Sequence, residues 1–178
     1  MKILISKPTP EDAGWIAEVI RKSWYVTYIN TEVGITKEDI DLMYAENQER
    51  QIEVFRDRAL HPKDDDISMV AKEGEKVVGF IRLKIHPDFA EILSLYVDPE
   101  CVGKGIGTSL WQEAQKILPK EKMVTVEVAS YTKAVDFYKK LGFADRGEKY
   151  RKQGEKMLSS GKQMPLMGMV FSKNGSAN

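Results

Sequence analysis

The sequence predicts one α/β domain: a single mixed, mostly antiparallel sheet of about seven strands with helices on both faces. Three observations lead there. At roughly 100–200 residues per domain, 178 residues make one domain, long enough to bury a core without disulfides. Apolar residues at 42% and charged residues at 30% are ordinary globular usage. The hydrophobic period switches in the order strand, two helices, three strands, helix, strand, helix, two strands. That order is neither a repeating βαβ pattern nor an all-β one, so it implies a mixed sheet covered on both sides.

Each element has a local cause. Ile3 to Lys7 alternates as a short strand. Thr9-Pro10-Glu11-Asp12 reads as a helix start: Thr caps, Pro suits the first helical position, and two acids face the positive dipole end. Ile16, Val19, Ile20, Ser23 and Trp24 continue at helical spacing. Thr36 to Leu60 reads as one second helical region with acids in its first turn, and His61 to Asp66 is a polar loop. Ser68–Glu73 and Lys76–Ile85 form a hairpin about Gly74-Glu75, and Ala90–Val97 is a third strand. Gly105 to Leu118 is a helix with Ile106, Leu110, Ala114 and Ile117 inward, and Met123–Ala129 alternates as a strand. Lys133–Leu141 is a helix with Ala134, Phe137, Tyr138 and Leu141 on one face, stopped by Gly142. Phe143–Tyr150 and Gln163–Phe171 close the list as strands about a polar hairpin. The second reads as an edge or terminal strand, because Pro165 cannot donate to a ladder. The domain spans residues 1–172, and residues 173–178 are a polar tail.

Composition narrows the function. Lys plus Arg equals Asp plus Glu at 27 each, so no basic excess marks a nucleic-acid or anionic-membrane binder. No apolar run approaches the ~20 residues of a membrane helix, and the N-terminal apolar run is too short for a signal peptide. One cysteine, Cys101, and two histidines without an HExxH pattern give no basis for a metal site. The expectation is a cytoplasmic protein without metal. Cys101 reads as a free structural thiol and Asp64-Asp65-Asp66 as a solvated loop.

The segment that carries chemistry is Val102-Gly103-Lys104-Gly105-Ile106-Gly107-Thr108, alternating glycines at the start of a helix. Glycine allows positive φ and close ligand approach, and the helix start offers free N–H groups, so the segment suits a phosphate or pyrophosphate. It lacks the spacing of a P-loop, and Thr108 stands where a dinucleotide fingerprint has its last glycine. Glu127, twenty residues beyond Gly107, keeps a nucleotide-binding reading open.

A second segment, Ala134-Val135-Asp136-Phe137-Tyr138-Lys139-Lys140-Leu141-Gly142-Phe143, changes the weighting. Together the two segments resemble the signatures of the GNAT family of acetyl-CoA-dependent N-acetyltransferases, with Val102 in place of the usual Gln or Arg and Tyr131 in place of the usual Asn. Nearly the whole chain follows the family's element order.

The resemblance implies acetyl-CoA as co-substrate and direct attack of an amine on the thioester in a ternary complex. It places the pantetheine arm along Leu95, Tyr96 and Val97, the pyrophosphate on Val102 to Thr108, and further coenzyme contacts at Tyr131 and Tyr138. It makes Tyr138 the acid for the leaving thiolate. Glu91, fourteen residues ahead of Gly105, is the base candidate, with a backbone N–H near Leu95 as oxyanion donor. Trp24, Tyr25 and Tyr28 fall on the acceptor side. The acceptor is a small-molecule amine or a protein or peptide amine, and a homodimer is left open. A non-catalytic coenzyme-binding regulatory module stands as the alternative.

Overall fold

The computed structural model describes residues 2–45, 47–145 and 155–172. The strands are β1 (Leu4–Ser6), β2 (Asp66–Glu73), β3 (Lys76–Ile85), β4 (Phe89–Val97), β5 (Met123–Ala129), β6 (Ala144–Asp145), β7 (Glu155–Met157) and β8 (Gln163–Phe171). The helices are α1 (Ala13–Thr27), α2 (Lys37–Ala45), α3 (Gln48–Leu60), α4 (Ile106–Ile117) and α5 (Ala134–Lys140). The sheet runs β1-β2-β3-β4-β5-β8-β6, with β7 on β8. Every pairing is antiparallel except β4 with β5.

Two apolar layers sandwich the sheet. On one face, Ile106, Leu110, Trp111 and Ala114 of α4 and Val135 and Tyr138 of α5 pack on Ile81, Leu83, Ile92, Val124 and Val126. On the other, Ile16, Val19, Ile20 and Trp24 of α1, Ile40 and Tyr44 of α2 and Phe55 of α3 pack on Val70, Val77 and Phe80. Capping starts this second layer. Thr9 and Thr36 each present a backbone N–H to a carboxylate three residues on, Asp12 at 2.8 Å and Asp39 at 2.7 Å. Asp39 also accepts from Lys162 at 2.8 Å, which pins the β7–β8 connection to the start of α2.

Four expectations change. The region from Thr36 to Leu60 is two helices, α2 and α3, because Asn47 leaves helical geometry at φ −127° and ψ −3°. An eighth strand, β7, lies where sequence suggested only a polar hairpin. Strand β8 is interior, not an edge. Pro165 sits where β8 changes neighbours: residues 163–165 face β7 and residues 166–171 face β5, so the ladder needs no N–H there. Ile117 is half exposed, and Trp111 and Leu118 fill the core instead. The expected strand 143–150 is seen only as β6; residues 146–154 and the 173–178 tail lie outside the described residues.

Gly79 sets the distance between α4 and the sheet. A Cβ there would stand 2.8 Å from Ile106 Cγ2 and 3.0 Å from Leu110 Cδ1, so the first turn of α4 rests directly on the β3 backbone. That seating aims the start of α4 at the end of β4.

Candidate active site

Strands β4 and β5 pair over four positions only, Phe89↔Met123 to Ile92↔Val126. Beyond them β4 continues on β3, with Leu95 opposite Ile81 and Val97 opposite Gly79, while β5 continues on β8. The two strands therefore part, and the wedge between them is edged by Leu95, Tyr96 and Val97. Near the point of parting, Arg82 faces Ser94 but Leu83 faces Ile92, so Leu93 is an inserted bulge residue. Ala90 and Ile92 pack into the α4/α5 layer, whereas Tyr96 packs into the α1 layer. Glu91 and Tyr96, an odd number of positions apart, thus share a face, which an unbroken pleat would forbid.

At the far end of the wedge lies the glycine loop. Gly103 and Gly105 adopt φ of 84° and 79°, and a Cβ on either would meet nothing within 4 Å, so both border open space. Gly107 differs: its φ is not positive, and a Cβ would lie 3.1 Å from Phe137 Cζ, so its role is helix packing. The bonds of α4 begin with Ser109 N–H donating to Gly105 at 2.9 Å, which leaves the amides of Ile106, Gly107 and Thr108 ahead of the first intrahelical bond. Positive φ, open space and a free helix start fit a phosphate-bearing coenzyme. Val102 is two-thirds exposed and its N–H already donates to Pro99 at 3.4 Å. Lys104 is exposed, its ammonium 3.8 Å from the buried Cys101 Sγ. Below the loop, buried Asp98 caps the Glu100 amide at 3.1 Å and meets Lys76 at 3.2 Å. Burial pushes its pKa up, but these two partners outweigh it and the net shift is down.

A tyrosine cluster fills the mouth of the wedge. Trp24 Nε1 donates to the Tyr96 hydroxyl at 3.1 Å, and the Tyr28 and Tyr96 hydroxyls lie 3.5 Å apart. Tyr131 donates to the Tyr28 carbonyl at 3.0 Å. Ser23 of α1 donates to the Val97 carbonyl at 3.0 Å, fastening α1 to the wedge edge. Tyr138 comes from the α5 face and Tyr28 from the α1 face, yet they are electrostatic neighbours of one another and of Tyr96. Burial raises the pKa of Tyr138, Tyr28 and Tyr96, and pushes Tyr131 up to about 12. All four phenols stay protonated at neutral pH and can donate.

The sequence-predicted residues therefore separate. Trp24, Tyr28, Tyr96 and Tyr131 meet in one cluster, and Tyr138 is an electrostatic neighbour of Tyr28 and Tyr96 from the other face. Tyr25 turns outward, donating to Asp41 at 2.5 Å and stacking on Tyr44. Glu91 sits at the closed end of the wedge, its carboxylate 3.2 Å from His86 Nε2 and mostly buried. Asp65 and Asp66, read as a solvated loop, bind Lys84 at 2.7 Å and Arg82 at 2.6 Å. Sequence reasoning missed Gly79 and Tyr44. Tyr44 is buried, 6.4 Å from the Trp24 ring between centroids, and its hydroxyl has no partner among the described residues. Its four-residue spacing from buried Ile40 was the available signal.

The comparisons agree with this geometry. A family profile described as the acetyltransferase (GNAT) family matches residues 33–143. A spermidine N(1)-acetyltransferase from Thermoplasma acidophilum is 31% identical over 147 residues, 80% of this chain and 89% of that one. The crystal structure of PaiA N-acetyltransferase from T. acidophilum in complex with coenzyme A superposes with TM-score 0.72 at 29% identity, covering 94% of this chain and 98% of that one. A ribosomal-protein-S18-alanine N-acetyltransferase from Escherichia coli, at 16% identity and TM-score 0.61 over 99% of both chains, shares the fold. With its parted strands, its glycine loop and these relatives, the chain belongs to the GNAT acetyltransferases, enzymes that use acetyl-CoA.

Proposed function

We propose that this acetyltransferase acts on a small aliphatic polyamine, with the amine entering from the α1 side of the wedge. The observation that carries the reading is the parting of β4 from β5, with Tyr138 on one face of the sheet an electrostatic neighbour of Tyr28 and Tyr96 on the other. Similarity to a spermidine N(1)-acetyltransferase supports a polyamine.

Bound acetyl-CoA supplies an acetyl group activated as a thioester. The amides of Ile106, Gly107 and Thr108 hold its phosphates, and the edge from Leu95 to Val97 aligns its arm. A backbone N–H near Leu95 faces the oxygen on which negative charge develops. Tyr138, kept protonated by burial, delivers a proton to the departing sulfur. Trp24 and Tyr28 line the amine side. Glu91 accepts the amine's proton. It lies five positions from Tyr96, roughly 16 Å of strand, so the proton passes through water between them.

The test is release of free thiol from acetyl-CoA with spermidine, putrescine, an amino sugar and a peptide with a free N-terminus. The expected result is the highest kcat/KM for spermidine. A tenfold preference for the peptide would overturn the acceptor assignment while leaving the acetyltransferase intact.

A further inference from the structure

A second concavity, of about 1000 Å³, lies between α3, the loop after it and the uncovered ends of β2 and β3. Strand β1 reaches only Val70 to Lys72 of β2, so the segment from Asp66 to Met69 is left open beside it. Three polar side chains line it from three elements. Arg58 comes from α3, Ser68 from β2 and Arg82 from β3, and all three line the space. Ser68 and Arg82 are cross-strand partners, so the hydroxyl and the guanidinium stand side by side.

The charges there are unevenly matched. Asp66 takes Arg82 in a bidentate pair, with contacts of 2.9 and 2.6 Å. Arg58 makes no ion pair among the described residues, its guanidinium lying 5.9 Å from the Phe55 ring centroid, and Ser68 makes no side-chain hydrogen bond among them. The guanidinium of Arg58 is partly buried; burial first, then the like charge of Arg82, lower its pKa, and the nearby carboxylates of Asp66 and Asp57 offset this only in part. Six Lys and Arg against four Asp and Glu line the space as a whole. Two guanidiniums and a hydroxyl form the donor set that a tetrahedral oxyanion satisfies, because guanidinium forks match phosphate oxygens and the hydroxyl adds a third donor.

We propose that Arg58, Arg82 and Ser68 form a binding site for a small multivalent oxyanion of the phosphate class, separate from the coenzyme wedge. The ligand places one oxygen on Arg58, whose guanidinium no carboxylate pairs at salt-bridge distance among the described residues, and bridges it to the Arg82–Ser68 pair. Occupancy ties α3 to the β2–β3 hairpin.

The experiment is calorimetric titration of inorganic phosphate into the whole protein at constant ionic strength, with coenzyme A saturating so that the start of α4 is filled. Binding should be measurable, weakened about tenfold or more in Arg58→Gln and about threefold in Ser68→Ala. Coenzyme A affinity should be unchanged in both, which also reports that the variants fold. Phosphate heats no larger than those of matched chloride would overturn the proposal. So would equal binding by wild type and Arg58→Gln, or a preference for an acidic peptide over phosphate.

Discussion

The Tyr131 hydroxyl donates to the main-chain carbonyl of Tyr28 at 3.0 Å, joining residues 103 positions apart. Tyr131 follows β5 and Tyr28 follows α1, and both pack into the α1 layer. The family resemblance assigns position 131 to the coenzyme, yet this phenol is committed to α1.

The first prediction follows from that bond. Tyr131→Phe keeps the ring and loses one hydrogen bond, so stability should fall by about 1 kcal/mol. KM for the amine should rise severalfold while coenzyme A affinity holds. Calorimetry with coenzyme A beside steady-state kinetics separates the two. A loss confined to coenzyme A binding would return Tyr131 to the coenzyme.

Tyr138 predicts a pH-independent effect. Burial lifts its pKa far above neutral, so its ionisation should not shape the rate profile between pH 6 and 10. Tyr138→Phe should lower kcat about 10²-fold or more across that whole range, with coenzyme A still binding. A defect that vanishes at one end of the profile would argue against proton donation.

Gly79→Ala sets two effects against each other. Alanine in a strand gains backbone order relative to glycine, worth roughly 0.5–1 kcal/mol. Its methyl would stand 2.8 Å from Ile106 and 3.0 Å from Leu110, and overpacking of this kind costs about 1–3 kcal/mol. The clash should win. Because Ile106 opens α4, coenzyme A affinity should fall together with the melting temperature. A variant that melts lower but binds coenzyme A normally would show that α4 can lift without disturbing its first turn.

Asp39 should couple the fold to acid. Its carboxylate accepts from Lys162 and from the Thr36 amide, which hold its pKa below the ordinary carboxylate range. A group depressed on folding stabilises fully above its unfolded value, about 3.9, and that contribution fades as pH falls further. Wild type should therefore melt higher than Asp39→Asn at pH 7, and the gap should close below about pH 4. Thermal melts across that range decide it.

Much of this architecture was legible along the chain, for identifiable reasons. Thr9 and Thr36 announce helix starts because capping is local. The glycine loop and the segment from Ala134 to Phe143 are readable because backbone conformation there depends on residue type. Features that depend on distant partners were hidden. Nothing around Leu93 signals a bulge. The interior place of β8 follows from which strands flank it, so Pro165 alone was misleading. Tyr25 and Tyr28 look equivalent in sequence and lie near one another on α1, but Tyr25 donates to Asp41 while Tyr28 lies against the Tyr96 hydroxyl, and only those distant partners tell them apart.

The bulge at Leu93 carries a genetic consequence. One extra residue sets the phase of everything downstream in β4, so the fold reads this strand as two words with a one-letter space between them. Deleting the single codon for Leu93 would remove no catalytic group and alter no charge. It would nonetheless close the space and bring Leu95 and Val97 round to α1, while Tyr96 turned away from Trp24 and Tyr28. A three-nucleotide deletion at a residue with no chemistry of its own should therefore silence the enzyme as thoroughly as losing Tyr138.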